Sequence, residues 1–232
     1  GAGVEVRDAA LFGKCLFVID GSGADAFLVA TGEEAIAVVE RGAQGLTVGT
    51  LSTVDATREV VELILDGVRP TAWLRGSGGE PLVDRVLDAG RLVLAADILG
   101  CCDRALAMSV AYAKERRQFG RVIGSFQAVK HMCAEMAAEL EPARALLWYA
   151  AYAFDCRFGD ASVMAALAKS HLAEVGTMLL KTATEVHGGL GVTLGDDLHL
   201  FFNREALRPQ PLGGSGHMRE RAGLSPARDA SV

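Results

Sequence analysis

From Leu82 to about Glu205 the sequence keeps a helical period, broken only at two glycine-bearing corners. Nothing else in the chain limits the fold as strongly, because long helices joined by short loops hide their apolar stripes by packing antiparallel. Val83, Val86 and Leu87 open a first helix that becomes apolar nearly all round over 92–99, the pattern of a helix central in a bundle. A second runs over 125–154, where Val129, Met132, Cys133, Met136, Leu140, Ala143 and Leu147 step at three and four along one stripe. The third starts near Asp160, places Met164, Leu167, Ala168, His171, Val175, Met178, Leu179, Thr182 and Val186 on its inner side, and stops at Gly188-Gly189. A shorter fourth covers 196–207 and begins with two acidic residues, where a helix N-terminus favours negative charge.

The first seventy residues read differently. Lys14-Cys15-Leu16-Phe17-Val18-Ile19 is a short apolar run closed by Asp20-Gly21-Ser22-Gly23, and 26–30, 46–49 and 60–65 are further strand candidates. These four strands suggest a small antiparallel sheet with open edges. The fold class expected is α+β, mainly α: a partial β-domain over 1–70, a linker over 71–81, a helical bundle over 82–222 and a disordered tail over 223–232. Gly1 reads as a start in the middle of a domain.

Of the 232 residues, 50% are apolar, which is ample for a buried core, and the formal net charge of −6 argues against nucleic acid as a partner. There is no uninterrupted apolar run of about 18 residues to span a membrane, and the first residues lack the basic start and apolar block of a signal peptide. Cys15, Cys101, Cys102, Cys133 and Cys156 are scattered without metal-ligand spacing; Cys101 and Cys102 read as small core residues, and a reduced cytoplasm is expected. His187 and His199 have no carboxylate or cysteine at metal spacing, so packing and local hydrogen bonding is their expected role.

The stretch over 112–127 carries the densest polar set. Glu115, Arg116 and Arg117 close an apolar helix, Gly120 and Gly124 give the corner backbone freedom, and Ser125 is a candidate N-cap for the next helix. Arg116, Gln118 and Phe119 offer a guanidinium, an amide and an aromatic ring, which suits a flat, phosphate-bearing ligand. A capped helix hairpin with solvated arginines accounts for the same residues.

Arg116-Arg117-Gln118-Phe119-Gly120-Arg121 with Ile123-Gly124-Ser125-Phe126-Gln127-Ala128 resembles the helix hairpin of the acyl-CoA dehydrogenase family. Glu185-Val186-His187-Gly188-Gly189-Leu190-Gly191 resembles that family's Gln-x-x-Gly-Gly-x-Gly corner, and Asp197-Leu198-His199-Leu200-Phe201-Phe202-Asn203-Arg204 the helix after it. The β segment is similar to the family's middle β-domain. The resemblance implies FAD shared with a neighbouring subunit: Arg116 at the pyrophosphate, Gln118 and Phe119 beside the dinucleotide, Gln127 towards the adenine, and Gly188 and Gly189 giving close backbone approach. Glu185 stands where the family has glutamine, and a carboxylate there repels a pyrophosphate. The implied reaction is α,β-dehydrogenation of an acyl-CoA thioester, fatty or steroid side chain, with electron-transfer flavoprotein as acceptor. Its base is a glutamate, and the two positions the family uses for it fall on Gly213 and Gly90, so no catalytic residue is assigned. Asp88, Asp97 and Glu205 are weak substitutes. The resemblance therefore implies a subunit completing the FAD site of a fuller partner chain in a homo- or hetero-oligomer. An assembly subunit or fragment that binds no flavin is the alternative, and an active dehydrogenase with an unrecognised base a third.

Overall fold

The computed structural model describes residues 3–32, 35–76, 82–193 and 195–207. The chain divides into two compact units, 1–87 and 88–232.

The first unit is built from two antiparallel sheets. Strands β1 (Val4–Arg7), β2 (Ala10–Ile19), β5 (Leu46–Leu51) and β6 (Val60–Val68) form one, in the order β1-β2-β6-β5. Strands β3 (Ala26–Ala30), β4 (Ala35–Glu40) and β7 (Ala72–Arg75) form the other, with β4 central. Asp8 and Ala9, with φ of 50° and 60°, make the tight β1–β2 turn whose twist suits a hairpin. Leu11, Val61, Leu63, Leu65 and Val68 of the first sheet share one core with Phe27, Val29, Ala37 and Val39 of the second. The single small sheet expected from four strands is thus two sheets around a common core. The stretch 71–81, expected as a linker, carries β7, which pairs with β4 from Ala72↔Val38 to Arg75↔Ala35.

The second unit contains the helices α1 (Leu82–Glu115, which begins before the division), α2 (Gln127–Asp155), α3 (Ala161–His187) and α4 (Leu198–Leu207). Their shared core takes Leu92, Ile98, Leu99 and Cys102 from α1, Met136, Leu140 and Leu147 from α2, Leu172, Leu179, Leu180 and Val186 from α3, and Leu198 from α4. Cys101 and Cys102 are both buried, as small core residues are. By length and composition the segment Ala161–Val192 could cross a membrane, but 61% of its apolar window is buried among the other helices. Lys169 on α3 is wholly buried. The all-round apolar character of α1 is not fully absorbed among the described residues: Val93 is 67% exposed, and Ala96, Gly100, Ala107 and Ala111 are exposed in line with it.

Candidate functional site

The α1–α2 connection is a miniature hairpin. Strands β8 (Arg117–Gln118) and β9 (Arg121–Val122) pair as Arg117↔Val122 and Gln118↔Arg121, leaving Phe119 and Gly120 in the turn at φ 51° and 77°. Such a two-residue turn requires positive φ at both positions. Glycine takes it freely, whereas phenylalanine does so at a cost of about 1–2 kcal/mol. Phe119 is nevertheless 91% exposed, its ring edge-on to Phe126 at 6.1 Å between ring centres. Arg121 lies over the Phe126 ring at 4.1 Å. The N–H of Arg116 donates to the Tyr112 carbonyl at 2.8 Å, and Ile123 N–H closes the hairpin on the Arg116 carbonyl at 2.8 Å. Arg116, Arg117, Gln118 and Gln127 are all exposed.

Ser125 does not cap α2. Its hydroxyl donates to the Val122 carbonyl at 2.7 Å within a short 3-10 turn, Ile123–Ser125, and the N-cap position falls to Phe126, which offers no side-chain acceptor. Gly124 is needed for space: a Cβ there would stand 2.8 Å from the Ala113 carbonyl oxygen.

The α3–α4 corner is built around His187, which is buried. Its Nδ1 donates to the Ala183 carbonyl at 2.8 Å, and Nε2 faces Asp196 Oδ2 at 3.8 Å. Asp196 in turn accepts the Leu198 N–H at 2.9 Å, an Asx turn leading into α4. His199 donates through Nδ1 to the Asp196 carbonyl at 2.6 Å. Packing and local hydrogen bonds thus occupy both histidines. Gly188 turns the chain at φ 61°, and both it and Gly189 have open space where a Cβ would point. Glu185 is exposed.

One contact joins the two corners. The Tyr112 ring stacks on His187 at 4.6 Å and 21°, and Tyr112 is the residue whose carbonyl holds Arg116. The groups singled out at 116–119 and 185–189 are therefore linked through one stacked pair, His187 buried and Tyr112 half-buried. Sequence reasoning gave Tyr112 no role. The usable signal is its place one turn before Arg116, matched by His187 immediately before Gly188.

The substitute carboxylates are engaged elsewhere. Asp88 forms a buried ion pair with Arg91, and Asp97 holds Arg204 at 3.1 Å across to α4. Gly90 lies in α1 between the two members of the buried pair; Gly213 and the Glu205 side chain lie outside the described residues. Among the described residues no group of three or more His, Cys, Asp or Glu is arranged to hold a metal ion.

The family model described as acyl-CoA dehydrogenase, C-terminal domain, matches residues 77–222. The chain is similar to acyl-CoA dehydrogenase IpdE2 of Mycolicibacterium smegmatis, 33% identical over 197 residues, covering 85% of this chain and 57% of that protein. In solved structures it resembles butyryl-CoA dehydrogenase from Megasphaera elsdenii, with TM-score 0.86 and 25% identity over 96% of this chain and 62% of that one. It also resembles a chain of the ChsE4-ChsE5 complex from Mycobacterium tuberculosis, with TM-score 0.84 and 31% identity over 97% of this chain and 64% of that one. The chain thus spans a little more than half the length of the first of these relatives.

Proposed function

This chain belongs to the acyl-CoA dehydrogenase family, and from that premise we propose that its helical bundle completes the FAD site of a neighbouring, fuller subunit. The observation that carries this reading is Phe119, held at positive φ and 91% exposed beside the exposed Arg116 and Gln118. A bulky ring in that conformation lowers this chain's own stability, so its use lies in what it touches outside.

The residues present suit a dinucleotide. Arg116 would hold the pyrophosphate through two guanidinium donors, Gln118 and Phe119 would border the dinucleotide, and Gln127 would reach the adenine end. Gly188 and Gly189, with open space above them, would let the backbone come close. Glu185, exposed beside them, would weaken an anionic ligand by repulsion. When bound, the flavin supplies a hydride acceptor for oxidation of the Cα–Cβ bond of an acyl-CoA thioester.

Removal of the α-proton would fall to the partner. Neither family base position holds a carboxylate here, and Asp88 and Asp97 are committed to Arg91 and Arg204. This chain would therefore bind and orient, in the cytoplasm, within an oligomer whose electrons pass to an electron-transfer flavoprotein. The acyl group would be a fatty or steroid side chain. The second reading, an assembly subunit without flavin, has Glu185 in its favour.

The visible spectrum of the purified chain, alone and co-expressed with a fuller acyl-CoA dehydrogenase subunit encoded beside it, separates the two. Flavin absorbance in the complex that falls with Arg116→Ala supports cofactor completion. A complex that forms without flavin, or keeps it undiminished in Arg116→Ala, supports assembly alone.

A further inference from the structure

The two corners assigned to the cofactor both leave the C-terminal end of a long helix. Tyr112 lies in the last turn of α1, and His187 is the last residue of α3. Helix ends carry unpaired carbonyls and open readily when nothing holds them. Here each end holds the other, through the Tyr112 ring stacked on His187 with 4.6 Å between ring centres and 21° between planes. The Tyr112 carbonyl accepts the Arg116 N–H at 2.8 Å, and the Arg116 carbonyl accepts the Ile123 N–H at 2.8 Å. A continuous path thus runs from the imidazole through the tyrosine to the backbone that carries Arg116.

His187 is fixed on its other sides as well. Nδ1 donates to the Ala183 carbonyl one turn back, and Nε2 faces Asp196 Oδ2 at the entry to α4. The chain beyond Gly188 then curls back over it: a Cβ on Gly191 would stand 3.0 Å from His187 Cβ and 3.3 Å from Leu198 Cδ2. The histidine is an internal post, with the end of α1 on one side and the Gly188–Val192 turn on the other. Close-packed interiors are hard to compress, so a post of this kind passes on a displacement. Filling space does not require it. A leucine at 187 would need no hydrogen-bond partner, whereas a buried imidazole needs one for each nitrogen, and stacked rings fix relative orientation as well as volume.

We propose that Tyr112 and His187 are positioning residues for the dinucleotide: their stack sets the spacing between Arg116 and the Gly188–Gly189 backbone, so that two corners far apart in sequence act on one ligand as a single grip. The proposal rests on the cofactor reading above and adds the residues that make it work from within the bundle. Neither ring needs to touch the ligand. A ligand held from two sides gains affinity when the span between them is fixed beforehand, because that span is not ordered anew on binding.

Two measurements test it. In the complex with a fuller subunit, FAD affinity is titrated by flavin fluorescence. Tyr112→Leu and His187→Leu should each weaken FAD about tenfold, the most that one aromatic pair carries. The double variant should be no weaker than either single one, and Tyr112→Phe, which keeps the ring, should bind as the unaltered chain does. Equal losses in Tyr112→Phe and Tyr112→Leu, or additive losses in the double variant, overturn the proposal. Arg116→Ala separates it from its premise. If that variant leaves FAD binding unchanged, the cofactor reading fails and the positioning role with it; if it weakens FAD while Tyr112→Leu does not, the positioning role alone fails. In the chain by itself, amide hydrogen exchange needs no flavin. His187→Leu should speed exchange at the Arg116 and Ile123 amides about tenfold relative to amides in the middle of α2, which report global stability. Exchange at Arg116 that rises only in step with those of α2 would show a shared loss of stability and overturn the proposal.

Discussion

At the first corner the chain turns in the open, and at the second it turns against its own core. Phe119 and Gly120 adopt positive φ with Phe119 almost wholly in solvent, while at the other corner His187 and Gly191 are buried and tied to Tyr112, Asp196 and Leu198. Conformational cost at the first corner is therefore not offset by packing around the turn, whereas at the second the packing sets the turn. A strained, exposed element answers to a ligand or partner; a packed one answers to stability. The two corners share the Tyr112–His187 joint, so each can be perturbed with the other as control.

The largest effect is expected where the open corner is rooted in the bundle. Gly124→Ala would put a Cβ 2.8 Å from the backbone oxygen of Ala113, which cannot yield without moving α1, and should cost about 3 kcal/mol in chemical denaturation. A loss below about 0.5 kcal/mol would show the hairpin shifting freely on α1, breaking the contrast drawn here. At the packed corner, Gly191→Ala would meet His187 Cβ at 3.0 Å, the Thr184 carbonyl at 3.2 Å and Leu198 Cδ2 at 3.3 Å. Small shifts of side chains absorb part of that, and about 1.5 kcal/mol is expected, read as a lowered melting temperature. At the tip of the open corner the sign reverses. Phe119→Gly relieves the positive φ and should raise stability by about 0.5–1 kcal/mol, while flavin retained by the complex falls; a stability loss would mean the ring packs within this chain after all. Smallest is Glu185→Gln, which should leave the melting temperature in place and tighten flavin binding in the complex a few-fold, most clearly at low salt.

The helices were legible because their signal is long. The first reads as closing on Glu115, Arg116 and Arg117 and stops at Glu115, because Arg117 pairs into the β8–β9 hairpin instead of completing a last turn, and the third ends at His187, just before the glycine that stops it. The β unit was less legible because its strands carry mixed signals. In β4, Ala35-Ile36-Ala37-Val38-Val39-Glu40, the central place in its sheet removes the alternation that marks a half-buried strand, and two alanines weaken its propensity. In β7 four residues between Pro70 and Gly76 look like a loop until β4 supplies the partner. Ser125 was misplaced because a serine before an apolar run fits an N-cap and a 3-10 turn equally well, and the carbonyl of Val122 decides between them. Within the candidate site the residues of each corner could be read locally, but the joint between them could not. Tyr112 and His187 are 75 residues apart by their numbering, and only the fold stacks them.

The clamp between Asp97 and Arg204 has a kinetic meaning. The Asp88–Arg91 pair of the same helix closes a loop of three residues, while Asp97–Arg204 closes one of 107. Loop-closure entropy grows with the logarithm of that length, a difference of about 3 kcal/mol between the two, more than a partly exposed ion pair returns. Arg204 can therefore reach Asp97 only after α2 and α3 have already brought the chain back alongside α1. On this account α4 is the last helix to dock and the first to open, and its amides exchange with solvent hydrogen ahead of those in the middle of α3.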